Sequence, residues 1–250
     1  MINALICGIN GKMGQNLVTL MENDGEICAV CGVDLNTDGQ KIPVYCAFAY
    51  VKEKVDVIID FSSPAALKSE LSWAVKNNIP VVLASTGYSA DDLKLIDETA
   101  KKIAVFKTGN FSLGINLLVK LVKRTAATLG VSFDIEIIER HHNQKVDAPS
   151  GTALMLAESA SSAFGDSKPV INGREGIVGK RGKEIGVHAV RGGNIVGEHE
   201  VMFAGEDEII TLSHSARSKK VFAVGAIRAA KWLAGKPAGK YDMNDVLENL

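Results

Sequence analysis

Along the first hundred residues, short unbroken apolar runs alternate with stretches whose apolar positions recur every three or four residues. Residues 4–7, 27–33, 55–61, 80–84 and 103–106 are apolar runs of strand length. Between them, residues 13–21 form one helical pattern, Leu67, Leu71, Ala74 and Val75 form the face of a second, and Leu93, Ile96 and Ala100 form that of a third. Strands with no polar face need cover on both sides, and helices alternating with them supply it, so this half reads as βαβ units around a parallel sheet. Ser62-Ser63-Pro64 marks one helix start, and Ser89 with Asp92 three residues later predicts a capping box at another.

Beyond about residue 110 the rhythm changes. A long helical stripe (Ile115, Leu118, Leu121, Val122, Ala126, Leu129) leads into Phe133, Ile135 and Ile137 alternating with Asp134 and Glu136, the mark of a sheet with one wetter face. Strand-like stretches at 184–190, 195–203 and 208–214 follow with no long helix between them, which predicts an antiparallel or mixed sheet. Residues 172–186, rich in glycine and charge, read as a mobile loop. Residues 219–233 return to a helical pattern through Val221, Phe222, Ala226, Ile227, Ala230 and Leu233, and are expected to rejoin the first half.

The first apolar run passes directly into Gly8, Ile9, Asn10, Gly11, Lys12, Met13 and Gly14 and then a helix. Strand, glycine turn and helix N-terminus together expose backbone N–H groups that can cradle a pyrophosphate. Asp34 ends the second strand twenty residues after Gly14, where a carboxylate can accept hydrogen bonds from ribose hydroxyls. The same charge repels a ribose 2'-phosphate, so NADH should serve at least as well as NADPH. The fold class expected is therefore α/β, a Rossmann-like parallel-sheet nucleotide-binding domain with a second α+β domain whose sheet is mixed or antiparallel. The first should span 1–109, completed by about 219–250. The second, for substrate binding and oligomerisation, should span 110–218.

Composition narrows the classes. Apolar residues make up 46% and charged residues 23% of the 250, and the net charge is −1, so nothing favours nucleic acid or a membrane surface as partner. The apolar runs are too short to span a bilayer, and a cytoplasmic setting is expected. All four cysteines precede residue 50. Cys28 and Cys31 form a C-x-x-C, but in a regular strand positions three apart face opposite ways, so no redox pair and no metal-ligand set is expected.

The densest chemistry lies in residues 139–153. Arg140, His141, His142 and Lys145 sit together before Ser150-Gly151-Thr152, which opens a helix. Histidine exchanges protons near neutral pH, lysine serves as point charge or acid, and the free N–H groups of a helix start attract a carboxylate. The residues alone fit a reductase acting on a small carboxylate of some kind, and also a nucleotide sensor that performs no chemistry.

The run from His141 to Ala153 resembles the H-H-x-x-K-x-D-A-P-S-G-T-A pattern of 4-hydroxy-tetrahydrodipicolinate (dihydrodipicolinate) reductases. The likeness extends to Gly8–Gly14, Asn110-Phe111-Ser112, Arg191-Gly192-Gly193, Gly197-Glu198-His199 and Tyr241-Asp242-Met243, collinear over nearly the whole chain. It implies NAD(P)H-dependent reduction of a cyclic dicarboxylate in lysine biosynthesis, with His141 as acid/base residue, Lys145 as proton donor and His142 as a substrate contact. Gly151 and Thr152, with Ser150, would bind a substrate carboxylate. The cofactor would be touched by Gly8 through Met13, Asp34, Ala84, Ser85, Thr86, Thr108, Gly109, Asn110 and Phe111. At Ala84, where many relatives carry glycine, this chain has an added methyl. The resemblance also implies a homotetramer assembled through the sheets of the second domain.

Overall fold

The computed structural model describes residues 1–165 and 168–248. The chain divides into two compact units, Met1–Ser112 with Lys220–Leu250, and Leu113–Lys219.

In the first unit the order is β1 (Ile2–Cys7), α1 (Lys12–Met21), β2 (Ile27–Val33), β3 (Val44–Tyr45), β4 (Val57–Asp60), α2 (Leu67–Asn77), β5 (Val81–Leu83), α3 (Ala90–Ala100) and β6 (Ala104–Lys107). The second unit runs α4 (Leu113–Leu129), β7 (Asp134–His141), α5 (Gly151–Ser161), β8 (Val170–Asn172), β9 (Ile185–Arg191), β10 (Gly197–Ala204) and β11 (Ile209–Ala216). The chain then returns to the first unit with α6 (Lys220–Leu233), β12 (Gly239–Tyr241) and α7 (Met243–Leu247).

The first sheet is parallel throughout, in the order β12-β6-β5-β4-β1-β2-β3. Its order reverses at β1, and in such sheets the ends of the strands beside the reversal form the ligand crevice. Leu5, Ile58, Val81, Leu83 and Val105 are fully buried, as apolar runs with no polar face require. The capping box at α3 is present, with Ser89 and Asp92 each accepting from the other's backbone N–H. At the other start signal a 3-10 turn over Pro64–Ala66 comes first, and the α-helix begins only at Leu67.

Two expectations change. The β1–β2 register slips between Ala4 and Leu5, so that Asn3 pairs with Cys28 and Leu5 with Cys31, leaving Val30 as the extra residue of a bulge. The slip puts both cysteines on one face, so the opposite-face argument fails. Their environments still differ, because Cys31 is buried in the core while the Cys28 thiol stands 3.7 Å from the Asn3 amide oxygen. The second change concerns residues 172–186, expected to be mobile. Arg174 donates to Glu136 and Glu184, and Arg181 donates to Asp134 and Glu136 and to the Glu184 carbonyl, pinning the segment near both ends. Burial pushes the Glu136 carboxyl up, but hydrogen bonds from Arg174, His188 and Arg181 outweigh it and hold the group at about 2.

The second sheet is mixed, ordered β11-β10-β7-β9-β8, antiparallel on one side of β7 and parallel on the other. The face built from Ile135, Ile137, Val187, Val201 and Phe203 packs with Ile115, Leu118, Val122 and Leu156 of α4 and α5.

Candidate active site

In the first unit the glycine turn joins β1 to α1. Gly8 has φ of +76°, and a Cβ there would stand 2.9 Å from the backbone of Phe61 and Ser62. A Cβ at Gly14 would overlap the Gly8 carbonyl and the Ile9 backbone. Gly11 is the N-cap of α1 and brings no side-chain cap, which leaves the first-turn N–H groups to a ligand. The Ile9 side chain is fully buried, so this residue can meet a ligand only through its backbone.

Gly8, Asn10, Gly11 and Asp34 line one cavity of about 1130 Å³, with Ser62 and Trp73 among its other walls. The Asp34 carboxylate accepts from the N–H of Asn10 at 2.9 Å and of Asn36 at 3.3 Å, which fixes it at the cavity edge. Ala84, Ser85, Thr86, Thr108, Gly109 and Asn110 follow the C-terminal ends of β5 and β6 on the same edge of the sheet, but they do not line that cavity. Phe111 is buried, its ring packed near those of Phe61 and Phe106, so only its backbone remains for a cofactor.

In the second unit the period of two that buries Ile135 and Ile137 continues along β7 to Glu139 and His141. Glu139 is fully buried and accepts from His141 Nδ1 at 2.6 Å, from Arg191 Nη1 and Nη2 at 2.7 and 2.8 Å, and from the Ser150 N–H at 2.9 Å. Burial pushes the Glu139 carboxyl up, but the hydrogen bonds from Arg191, His141 and Ser150 outweigh it and hold the group below its ordinary range. A carboxylate at Nδ1 fixes the proton there and turns Nε2 into the acceptor. Gly197 leaves room at that nitrogen, since a Cβ would come within 3.1 Å of it.

His199 is the antiparallel partner of Glu139 on β10, and its ring meets that of His141 edge-on at 5.1 Å. Burial, with His141 as a neighbouring charge, lowers the His199 imidazole to about 4. It is neutral when folded at pH 5 but protonated when unfolded, so its contribution to stability is complete above about 6.5 and is lost as pH falls toward 4. The span corresponds to about 3 kcal/mol. Urea unfolding at pH 7.5 and 4.5 should show the native protein losing that much more than His199→Gln; equal losses would remove His199 from the acid response.

Lys145 pairs with Asp147 at 2.8 Å, and its side chain is 21% exposed. The hydrogen bond from Lys145 lowers the Asp147 carboxyl below its ordinary value. Arg191 also donates to the Asp147 carbonyl at 2.6 Å, tying the Lys145 loop to the Glu139 centre. His142 is half-buried, and its carbonyl accepts from the Lys145 N–H. Ser150 is buried, its hydroxyl capping α5 through the Ala153 N–H and lying 3.1 Å from His199 Nε2, whereas Gly151 is exposed at the first helical position. The start of α5 therefore presents Gly151 to solvent, while the Ser150 hydroxyl is committed to the cap.

Two family models cover the chain end to end: Dihydrodipicolinate reductase, N-terminus, over residues 2–111, and Dihydrodipicolinate reductase, C-terminus, over residues 114–247. The chain belongs to the dihydrodipicolinate reductase family. Similar members include the 4-hydroxy-tetrahydrodipicolinate reductases of Caldanaerobacter subterraneus subsp. tengcongensis, 48% identical over 249 residues, and Clostridium perfringens, 45% over 251, each covering 99% of both chains. Among solved structures, dipicolinate-bound dihydrodipicolinate reductase from Paenisporosarcina sp. TG-14 aligns with a TM-score of 0.81 at 26% identity over 98% of this chain and 99% of that one. A myo-inositol dehydrogenase from Lactobacillus casei, 13% identical with a TM-score of 0.59 over 98% of this chain and 90% of its own, shares the fold alone. As a dihydrodipicolinate reductase family member, the chain is an NAD(P)H-dependent oxidoreductase, and the sensor reading falls away. Glu139, Arg191 and His199 had no role assigned from sequence. The alternation through Ile135 and Ile137, continued by one step, would have marked Glu139 as an inward-facing carboxylate.

Proposed function

We propose that the reduction of 4-hydroxy-tetrahydrodipicolinate by this chain runs on a proton relay of Lys145 and His141, oriented by Glu139. The buried contact between Glu139 and His141 at 2.6 Å carries the reading, because it commits one ring nitrogen and leaves the other to accept or return a proton. The start of α5, through Gly151 and Thr152, holds one carboxylate of the cyclic substrate, and His142 contacts it nearby. Ser150 braces that helix start from below.

The glycine cradle, the uncapped start of α1 and Asp34 suit a dinucleotide: Gly8 through Met13 hold the pyrophosphate, and Asp34 holds the adenosine ribose. Ala84 through Thr86 and Thr108 through Phe111 serve the nicotinamide half. When bound, NADH or NADPH supplies the hydride. Lys145 delivers the proton to the anionic centre that develops on the substrate, and its positive charge stabilises that centre beforehand. Substrate loses water and gains one hydride and one proton, giving tetrahydrodipicolinate.

Loss of NADH absorbance with substrate generated by a coupled synthase tests the reading. We expect kcat/KM with NADH to equal or exceed that with NADPH, and Asp34→Ala to shift the ratio toward NADPH by about tenfold, the effect of roughly 1.4 kcal/mol of relieved repulsion. No oxidation of either cofactor would overturn it.

The half-exposed face of the second sheet, where Arg140 lies 3.9 and 3.7 Å from Glu198 and Glu200, serves assembly into a homotetramer. The setting is cytoplasmic: no described helix is long and apolar enough to cross a membrane, and the four cysteines are unpaired. A single-chain mass by light scattering, or recovery with the membrane fraction, would count against these two points respectively.

A further inference from the structure

Beneath the dinucleotide turn lies a cluster that the reduction does not use. Cys7 ends β1, Asp60 ends β4 and Glu70 lies in the first turn of α2, and one ligand atom from each lies within 4.8 Å of the other two. The three residues are 2%, 1% and 0% exposed. Asp60 is well satisfied, accepting from the Ser62 N–H and hydroxyl and from the Tyr88 hydroxyl. Glu70 is not, for neither of its oxygens has a hydrogen-bond partner, and among the described residues neither carboxylate has an ion-pair partner.

A buried carboxyl with no hydrogen-bond partner from the protein is costly in either protonation state. Protonation removes the charge of Glu70 but leaves its hydroxyl and carbonyl both unmatched. A cation both neutralises the pair of carboxylates and supplies Glu70 with its missing partner. Contrary to the sequence expectation of no metal ligands, we propose that Cys7, Asp60 and Glu70 bind one divalent cation of the zinc type.

Ligand chemistry selects the ion. Magnesium and calcium favour oxygen donors alone, whereas zinc takes thiolate and carboxylate together in a tetrahedral set. Zn–S near 2.3 Å and Zn–O near 2.1 Å put neighbouring donors about 3.5 Å apart, a contraction that the unbonded Glu70 side chain is free to make. Cys7 gives up its thiol proton to solvent on loading. Cys7 and Ser62 also line the dinucleotide cavity, which offers an entry path. The bound ion ties β1 to β4 and α2 next to Gly8, stiffening the floor of the cofactor loop.

The test uses the full chain, stripped with a chelator and titrated with Co²⁺. We expect one equivalent to bind with a thiolate-to-cobalt charge-transfer band in the near ultraviolet, displaced by Zn²⁺ and absent in Cys7→Ser. Loss of a direct ligand exceeds the 10–100-fold typical of an outer-shell partner, so Glu70→Gln, which keeps the side-chain shape, should weaken binding by more than about a hundredfold. Zn²⁺ should raise the Tm of the native chain but not that of Glu70→Gln. If Cys7→Ser fails to fold, the Glu70→Gln comparison decides alone. No band in the native chain, a band surviving in folded Cys7→Ser, or equal affinity in Glu70→Gln would overturn the proposal.

Discussion

Lys145→Ala is expected to lower kcat by about 10²–10⁴-fold, the usual loss when a positioned proton donor is removed. Binding of NADH should change by less than about twofold, as every residue assigned to the cofactor lies in the other unit. Lys145→Arg separates proton donation from charge, because a guanidinium keeps its proton at neutral pH while still stabilising an anion. The relay predicts that arginine restores little turnover. Recovery of most of kcat in Lys145→Arg would make Lys145 an anchor, and turnover within threefold of native in Lys145→Ala would remove it from the chemistry.

The second large effect concerns Arg191. Its guanidinium meets both oxygens of a fully buried carboxylate, so Arg191→Ala leaves Glu139 with charge it cannot screen. Breaking a buried pair from one side costs about 3–5 kcal/mol, and that loss of unfolding free energy is expected in denaturant at pH 7.5. Glu139→Gln combined with Arg191→Ala should recover part of it, since the uncompensated charge is then gone. The same single substitution loosens His141 and the Asp147 end of the Lys145 loop, so kcat should fall along with stability. A loss under about 1 kcal/mol would show that Glu139 finds its compensation elsewhere.

Much of the architecture was legible because periodicity reports burial directly. The two-sided apolar runs of β1, β4 and β5 required a covered parallel sheet, and Ile135 and Ile137 alternating with acids announced the half-covered β7. Short elements escaped, among them Val44–Tyr45 and Gly239–Tyr241. Strands of two and three residues carry too few positions to show a period, and they exist only because a sheet edge was there to extend. The bulge at Val30 was equally hidden, since a register slip is a property of a pair of strands.

The candidate site divides along the same line. Local chemistry determined that Gly8–Gly14 turns from a strand into a helix start and that Ser150 caps a helix, because both follow from neighbours in the chain. Tertiary structure decided the electrostatics. Arg191 lies 52 residues from Glu139 in sequence, and only the parallel pairing of β7 with β9 sets it beside β7's end. His199 reaches Glu139 only through the antiparallel pairing with β10. Hydrogen bonds to a buried carboxylate depend on directions fixed to within a few tens of degrees, and a sequence pattern fixes which face a residue takes but not which partner waits on it.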